Sequence, residues 1–208
     1  WSSDVCSSDL DIQLSNSSIP ENSPSNSAVG SLTTTDPNVG DTFTYSLVSG
    51  SGDNDNASFN IAGNTLRATN SFDFETKASY KIRVRSTDQG GLFTEKTFTI
   101  TVTDVNEAPT DINLTPASIP ENAGPNATVG TLSTVDPDAG NSFTYSLVTG
   151  SGDTDNGSFN ISGGQLRATA SLDFSGDTTY SVRVRSTDQG GLGVEKVFTV
   201  TKAIAEVT

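Results

Sequence analysis

The stretch Ser79–Thr103 reads "SYKIRVRSTDQGGLFTEKTFTITVT". Its first part alternates: Tyr80, Ile82 and Val84 fall on one side, Lys81, Arg83 and Arg85 on the other. Its last part alternates again, with Phe98, Ile100 and Val102 on one side. A period of two is the pattern of a strand with one face buried. Between the two runs lies "DQGG", a turn signal. "TFTYSLV", Thr42–Val48, alternates in the same way, with Phe43, Tyr45 and Leu47 inward. Gly, Asp and Asn clusters at 38–41, 49–56, 62–64 and 88–91 cut the sequence into short segments. About seven strands in a unit of this size, with no 3.6-residue apolar period, predict an all-β Greek-key sandwich.

The same stretch recurs. "RVRSTDQGGL" starts at Arg83 and at Arg183, "SFNI" at Ser58 and Ser158, and "SIPEN" at Ser18 and Ser118. The offset is 100 residues each time, and about 55 of the 90 positions from 11–100 match those from 111–200. One domain is present twice, as in a segment of a longer array. The expected division is 11–103 for the first repeat, 104–109 for a linker, 110–201 for the second repeat, and 202–208 for a truncated or divergent tail. Pro109 and the shortness of "DVNEAP" argue against a long flexible tether.

Composition narrows the function. Lys and Arg number 11, Asp and Glu 25, for a net charge of -14. That charge disfavours nucleic acid and anionic membranes as partners. It suits divalent cations, which take carboxylate oxygens. There is no His, so the usual general base and nitrogen metal ligand are missing. The Ser residues show no nucleophile-elbow pattern. Paired carboxylates could hydrolyse glycosides, but the candidates fall in the acidic set below, and no enzyme is expected. A single Cys excludes an internal disulfide. No apolar run is long enough to span a membrane.

The acids are ordered along the chain. Glu21 follows Pro20; Asp73 and Glu75 lie two apart in "FDFE", so an extended backbone points them the same way. Asp104, Asn106 and Glu107 fill the linker. Asp136 and Asp138 lie two apart in "DPD", and Asp188 follows a strand in "STDQGG". If the loops carrying these residues cluster at the two ends of each sandwich, about eight acids gather around the linker. Like charges about 4 Å apart repel by about 1 to 4 kcal/mol, depending on local dielectric. A hard cation with six to eight oxygen ligands removes that cost. Taken one at a time, each acid could equally be an ordinary turn or capping residue.

"IPEN", "FDFE", "DVNEAP", "DPD" and "STDQGG", in this order and at this period, resemble cadherin repeats, with the bacterial cadherin-like kind fitting best. The resemblance covers Asp11 to about Thr201. It implies calcium bound between successive repeats, a stiffened rod, and an extracellular or cell-surface role in adhesion or spacing, including homophilic adhesion, within a large secreted or membrane-associated bacterial adhesin. It implies calcium ions and neighbouring repeats of the same chain as partners, together with other cell-surface proteins or glycans. Carried over, Glu21, Asp73 and Glu75 are ligands from the first repeat. Asp104 and Glu107 give carboxylates, Val105 a carbonyl, and Asn106 a side-chain oxygen. Asp136, Asp138 and Asp188 close the cage, and Asn141 adds a carbonyl. The linker departs from the family's D-x-N-D-N-x-P pattern: it is one residue shorter, with Glu107 for Asp. Two or three ions are expected, with affinity in the weak extracellular range of about 10⁻⁴ to 10⁻³ M. The outer ends are incomplete. Asp36, Asn38 and Asp88 form an upper half in repeat 1; Glu121 and Asp173 form a lower half in repeat 2, where Ser175 stands in the place of Glu75. Weak or no ion binding is expected at both.

"GDNDN" (Gly52–Asn56) and "GDTDN" (Gly152–Asn156) begin like EF-hand loops but lack the Gly and Glu that such loops need at their sixth and twelfth positions. They are expected to be acidic turns. "NASF" and "NGSF" satisfy the glycosylation sequon and are expected to be turn chemistry instead. Two other functions stay open: a glycan- or protein-binding module, for which Phe93 is the one exposed-aromatic candidate, and a calcium-independent spacer in a larger enzyme.

The first ten residues, "WSSDVCSSDL", hold the only Trp and Cys and break the repeat register, which resumes at Asp11. The decapeptide back-translates to DNA resembling a common short-read sequencing adapter. It is expected to be a non-native, disordered head.

Overall fold

The computed structural model describes residues 11–36, 40–175 and 179–203. The expectations for the 1–10 head, for Asn38 and for the tail beyond residue 203 lie outside the described residues. The chain divides into two compact units after Val105.

Unit 1 holds eight strands: β1 (Asp11–Leu14), β2 (Ser18–Pro20), β3 (Ala28–Thr35), β4 (Phe43–Leu47), β5 (Phe59–Ala62), β6 (Thr65–Ala68), β7 (Ser79–Asp88) and β8 (Phe93–Thr103). They form two four-stranded sheets, in the orders β1-β3-β6-β5 and β2-β8-β7-β4. The sequence predicts about seven strands because β1 and β2 read as one. The backbone breaks there, and the two halves join different sheets: β1 runs antiparallel to β3, β2 parallel to β8. Changing sheets lets one extended segment close both edges of the sandwich.

The alternating residues pack as their period predicts. Ile82, Val84, Ile100 and Val102 are fully buried and meet Ile12, Leu32 and Leu66 from the opposite sheet. Phe59, Phe72 and Tyr80 form an aromatic group at one end, with Phe72 and Tyr80 centroids 4.5 Å apart. A hydroxyl set ties the sheets together. Thr34 Oγ1 lies 2.6 Å from Ser86 Oγ and donates to Tyr45 Oη at 3.1 Å. Ser86 is buried, so this pairing satisfies a polar group that would otherwise be costly inside the core.

Unit 2 repeats the plan: β9 (Asp111–Thr115), β10 (Ser118–Ile119), β11 (Thr128–Val135), β12 (Thr144–Leu147), β13 (Phe159–Ser162), β14 (Gln165–Ala168), β15 (Thr179–Thr187) and β16 (Gly193–Lys202). Its sheets run β13-β14-β11-β9 and β10-β16-β15-β12. The Thr134–Ser186–Tyr145 hydroxyl set recurs. The core differs at one end. Leu172 replaces Phe72, and Phe174 turns in edge-on against Tyr180 at 5.2 Å.

Two backbone devices recur in both units. Asn22 and Asn122 adopt positive φ, both 57°, a region that Asn tolerates better than most side chains. That turn follows the "PE" of "SIPEN" and fixes where Glu21 and Glu121 point. Gly30 and Gly130 sit where a Cβ would lie 2.5 Å from the Asn16 carbonyl oxygen and 1.8 Å from that of Pro116. No other residue fits this approach without moving the backbone.

Candidate metal centre

In unit 1 the acidic set is built by the turn after β2, the 72–77 turn and the end of β8. Glu21 is 3% exposed. Its Oε2 accepts the Phe74 N–H and its Oε1 the Val105 N–H, each at 2.8 Å. One carboxylate thus clamps the turn and the end of the last strand together. Glu21, Glu75 and Asp104 each place a carboxylate oxygen within 4.8 Å of the others. Three carboxylates so close are the kind of donor set that a hard cation takes. Asp73 stands apart from this group. Its Oδ1 accepts the Thr76 N–H and its Oδ2 the Thr76 hydroxyl. Those two bonds, the amide first, hold its carboxyl below the ordinary carboxylate range.

In unit 2 a second set forms around the loop after β11, the turn after β15 and Asn106–Glu107. Asp138 and Asp188 are 8% and 6% exposed. The Glu107 N–H donates to Asp138 Oδ2 at 2.7 Å, and the Asp138 N–H to Asp136 Oδ1 at 3.0 Å. The Asn141 side-chain amide donates to Asp136 Oδ1 at 3.1 Å. The Asn106 amide donates to Asp188 Oδ2 at 2.9 Å, while Asp188 Oδ1 accepts the Leu192 N–H. Burial pushes the Asp188 carboxyl up. The Asn106 amide and the Leu192, Gly191 and Gly190 N–H groups outweigh it and leave the carboxyl below its ordinary range. Gly190 leaves room for the Asn106 amide, since a Cβ there would lie 2.6 Å from it and would push it aside.

Two oxygens in this second set are buried with no hydrogen-bond partner: Asp136 Oδ2 and Asp138 Oδ1. Buried polar atoms are nearly always paired, because an unpaired one forfeits its hydration. An oxygen-binding cation would supply the missing partner. The donors are all hard oxygens, the type Ca²⁺ takes. The residues present therefore fit the ion.

In unit 1, Asp36, Asp41 and Asp88 also bring carboxylate oxygens within 4.8 Å of one another. The acids of the two "GD-x-DN" loops have local duties. Asp53 Oδ2 accepts the Gly50 N–H at 3.0 Å, and Asp153 the Gly150 N–H in the same way. Asp55 pairs with Lys77 and accepts the Lys81 N–H. The two "GD-x-DN" loops are built as turns. The sequon residue Asn56 donates to the Val48 carbonyl and accepts the Arg83 N–H, both at 2.9 Å, and Asn156 makes the same two bonds. Both amides are structural bridges. Sequence reasoning missed this, though each Asn stands in a matched place of both repeats. Phe93 is 48% exposed, but the Arg85 guanidinium covers one face at 4.1 Å.

The architecture is that of a tandem of Greek-key sandwiches with an acidic set in each unit. The cadherin domain pattern matches residues 15–103 and 115–205, and the chain belongs to the cadherin domain family. Human cadherin-24 is 34% identical over 130 residues, 56% of this chain and 16% of that protein. Human protocadherin-16 is 34% identical over 144 residues, 65% of this chain and 4% of that protein. The chain thus spans a small part of the curated relatives it matches. A crystal structure of human protocadherin-24 EC1-2 matches with a TM-score of 0.71 at 18% identity, over 94% of this chain and 98% of that one. At that identity the likeness carries the fold alone. The family is one of extracellular adhesion domains rather than enzymes, and its domains generally bind Ca²⁺. Among the described residues no helix is long and apolar enough to cross a membrane.

Proposed function

We propose that this chain is a calcium-binding, calcium-stiffened tandem serving as an adhesion or spacer segment of a large secreted or surface protein. Glu21, Asp73, Glu75 and Asp104 with the Val105 carbonyl form the ligand set of repeat 1. Asn106, Glu107, Asp136, Asp138, Asn141 and Asp188 form that of repeat 2. The observation that carries the reading is the pair of buried, unpartnered oxygens on Asp136 and Asp138. Asp73 is the ligand with the least support, since Thr76 engages both its oxygens. The bacterial parent is proposed from the sequence motifs. Neighbouring repeats of the parent, and cell-surface proteins or glycans, are the proposed partners.

The test is melting temperature and small-angle scattering in chelator and in millimolar calcium. The expected result is a higher melting temperature and a more extended particle with calcium. The Glu107→Gln, Asp136→Asn double variant should lose both responses. A wild-type chain indifferent to calcium would leave a calcium-independent spacer as the reading.

A further inference from the structure

The ends of the two units that carry "SIPEN" can be superposed position by position. In unit 1, Ile19 pairs with Val102, and Val102 is buried in the core. In unit 2, Ile119 pairs with Lys202 at the same register. The Lys202 ammonium donates to Glu121 Oε2 at 2.5 Å. Among the described residues, fewer of the matching acids remain in unit 2. Unit 1 carries Glu21, Asp73, Glu75 and Asp104 at this end. Of the first three, unit 2 keeps Glu121 and Asp173 and has Ser175 for Glu75. The Ser175 N–H donates to Asp173 Oδ1 at 2.8 Å. Ser175, by its hydroxyl and then its amide, and Lys202, by its charge, hold the Asp173 carboxyl below its ordinary range. Lys202 is thus within electrostatic reach of both carboxylates that remain.

We infer that Lys202 is a built-in cation that stands where unit 1 would place a divalent ion, so that this end of unit 2 carries part of its own counter-charge and takes no calcium. The inference rests on the reading that unit 1 binds calcium with the matching residues. An ammonium is a compact charge with three donors and serves carboxylates as a hard cation does. A metal ion would have to displace it or share the site against its repulsion. The substitution couples two positions. In unit 2 the lysine at this position stays half-exposed and reaches Glu121, and Glu75→Ser alone would remove a ligand without supplying a charge. Unit 2 carries both changes, and Phe174 turns inward where the core has lost Phe72 and Val102.

The experiment is amide hydrogen exchange on the full chain, with and without millimolar calcium, for wild type, Lys202→Val and Lys202→Met. In wild type, segments 118–122 and 172–175 should exchange equally in chelator and in calcium. In both variants exchange at these segments should rise about two- to fivefold in chelator, the range of one exposed ion pair. In the Lys202→Val, Ser175→Glu double variant, calcium should restore protection. Calcium-dependent protection of these segments in wild type overturns the inference. So does unchanged exchange in chelator for both single variants. Segments 73–75, 104–107 and 136–141 report the proposed calcium sets in the same samples. If they ignore calcium, the functional proposal fails, while the chelator comparison of Lys202 variants, which involves no metal, still decides the inference on the lysine's role.

Discussion

The Arg–Glu–aromatic cluster on β7 and β8 of unit 1 and its copy on β15 and β16 of unit 2 differ at one decisive residue. In unit 1, Glu95 accepts two bonds from Arg83, at 2.8 and 2.6 Å, and two from Arg85, at 2.8 and 2.5 Å. Phe93 backs the second guanidinium. In unit 2, Arg183 keeps its grip on Glu195, but Arg185 stands off at 3.7 Å, and Gly193 replaces the aromatic ring. The shared residues are the same, Arg, Arg and Glu. The tighter pair is the one with an aromatic ring on the far side of the guanidinium. Identity between repeats preserves topology; single substitutions decide whether a charge is fixed or loose.

The largest expected contrast lies in the core, where the repeats solve one packing problem with different rings. Phe72 is buried among Phe59 and Tyr80, while Phe74 is only partly buried. In unit 2, Leu172 and Phe174 are both buried. Phe72→Ala should cost unit 1 about 3–5 kcal/mol, and Phe74→Ala distinctly less. In unit 2 the order should shift toward the second ring, with Phe174→Ala also costing about 3–5 kcal/mol. Chemical denaturation of the three variants checks the shift. Equal losses at 74 and 174 would show that the two ends are packed alike.

The sequence held the strand pattern openly, because a half-buried strand writes its burial into every second residue. Ile82, Val84, Ile100 and Val102 were readable for that reason, and all four are fully buried. What stayed hidden was the break between β1 and β2. "DIQLSNSSIP" carries no Gly or early Pro to mark it, and the change of sheet is enforced by distant strands competing for its hydrogen bonds. The acidic set was legible as a list, since the motifs come in order. The separate duties within it were not. Asp73 and Glu75 sit two apart on the chain, yet Asp73 binds Thr76 while Glu75 joins Glu21 and Asp104. Which lone pairs remain open for a ligand depends on turn geometry that spacing does not encode. The role of Lys202 was equally hidden: at its position the sequence shows an apolar-to-charged change, and only the register places it on Glu121.

A smaller contrast concerns pH. Arg85, and then Arg83, hold the Glu95 carboxyl below its ordinary value of 4.5. As pH falls, the unfolded chain takes up the proton first. The stabilisation is therefore complete above 4.5 and is lost as pH falls through the lower, folded value. Glu95→Gln should lower the melting temperature of unit 1 at neutral pH, and the difference from wild type should shrink in acid. At neutral pH, Glu195→Gln should lower the melting temperature of unit 2 by a smaller amount, since Arg185 makes no close bond there. Equal amplitudes would mean that the Arg85 clamp adds nothing to stability.

The smallest effect is expected from exchanging the residue that sets this difference. Phe93→Gly should release Arg85 toward the 3.7 Å arrangement of Arg185. The lost stacking is worth about 0.5–1 kcal/mol at an exposed site, and glycine within a strand adds about 0.5–1 kcal/mol more. The reverse exchange should not restore the clamp. A Cβ on Gly193 would lie 2.6 Å from the Ser186 carbonyl oxygen, so the backbone has settled into the space a side chain needs. Gly193→Phe should therefore destabilise unit 2, although it makes the two clusters identical in sequence. The guanidinium Nε–H exchange rates of Arg85 and Arg185, measured by NMR in both variants, separate loss of the clamp from general unfolding. A Gly193→Phe variant with slowed Arg185 exchange and unchanged stability would show that the ring alone, without its backbone setting, makes the clamp.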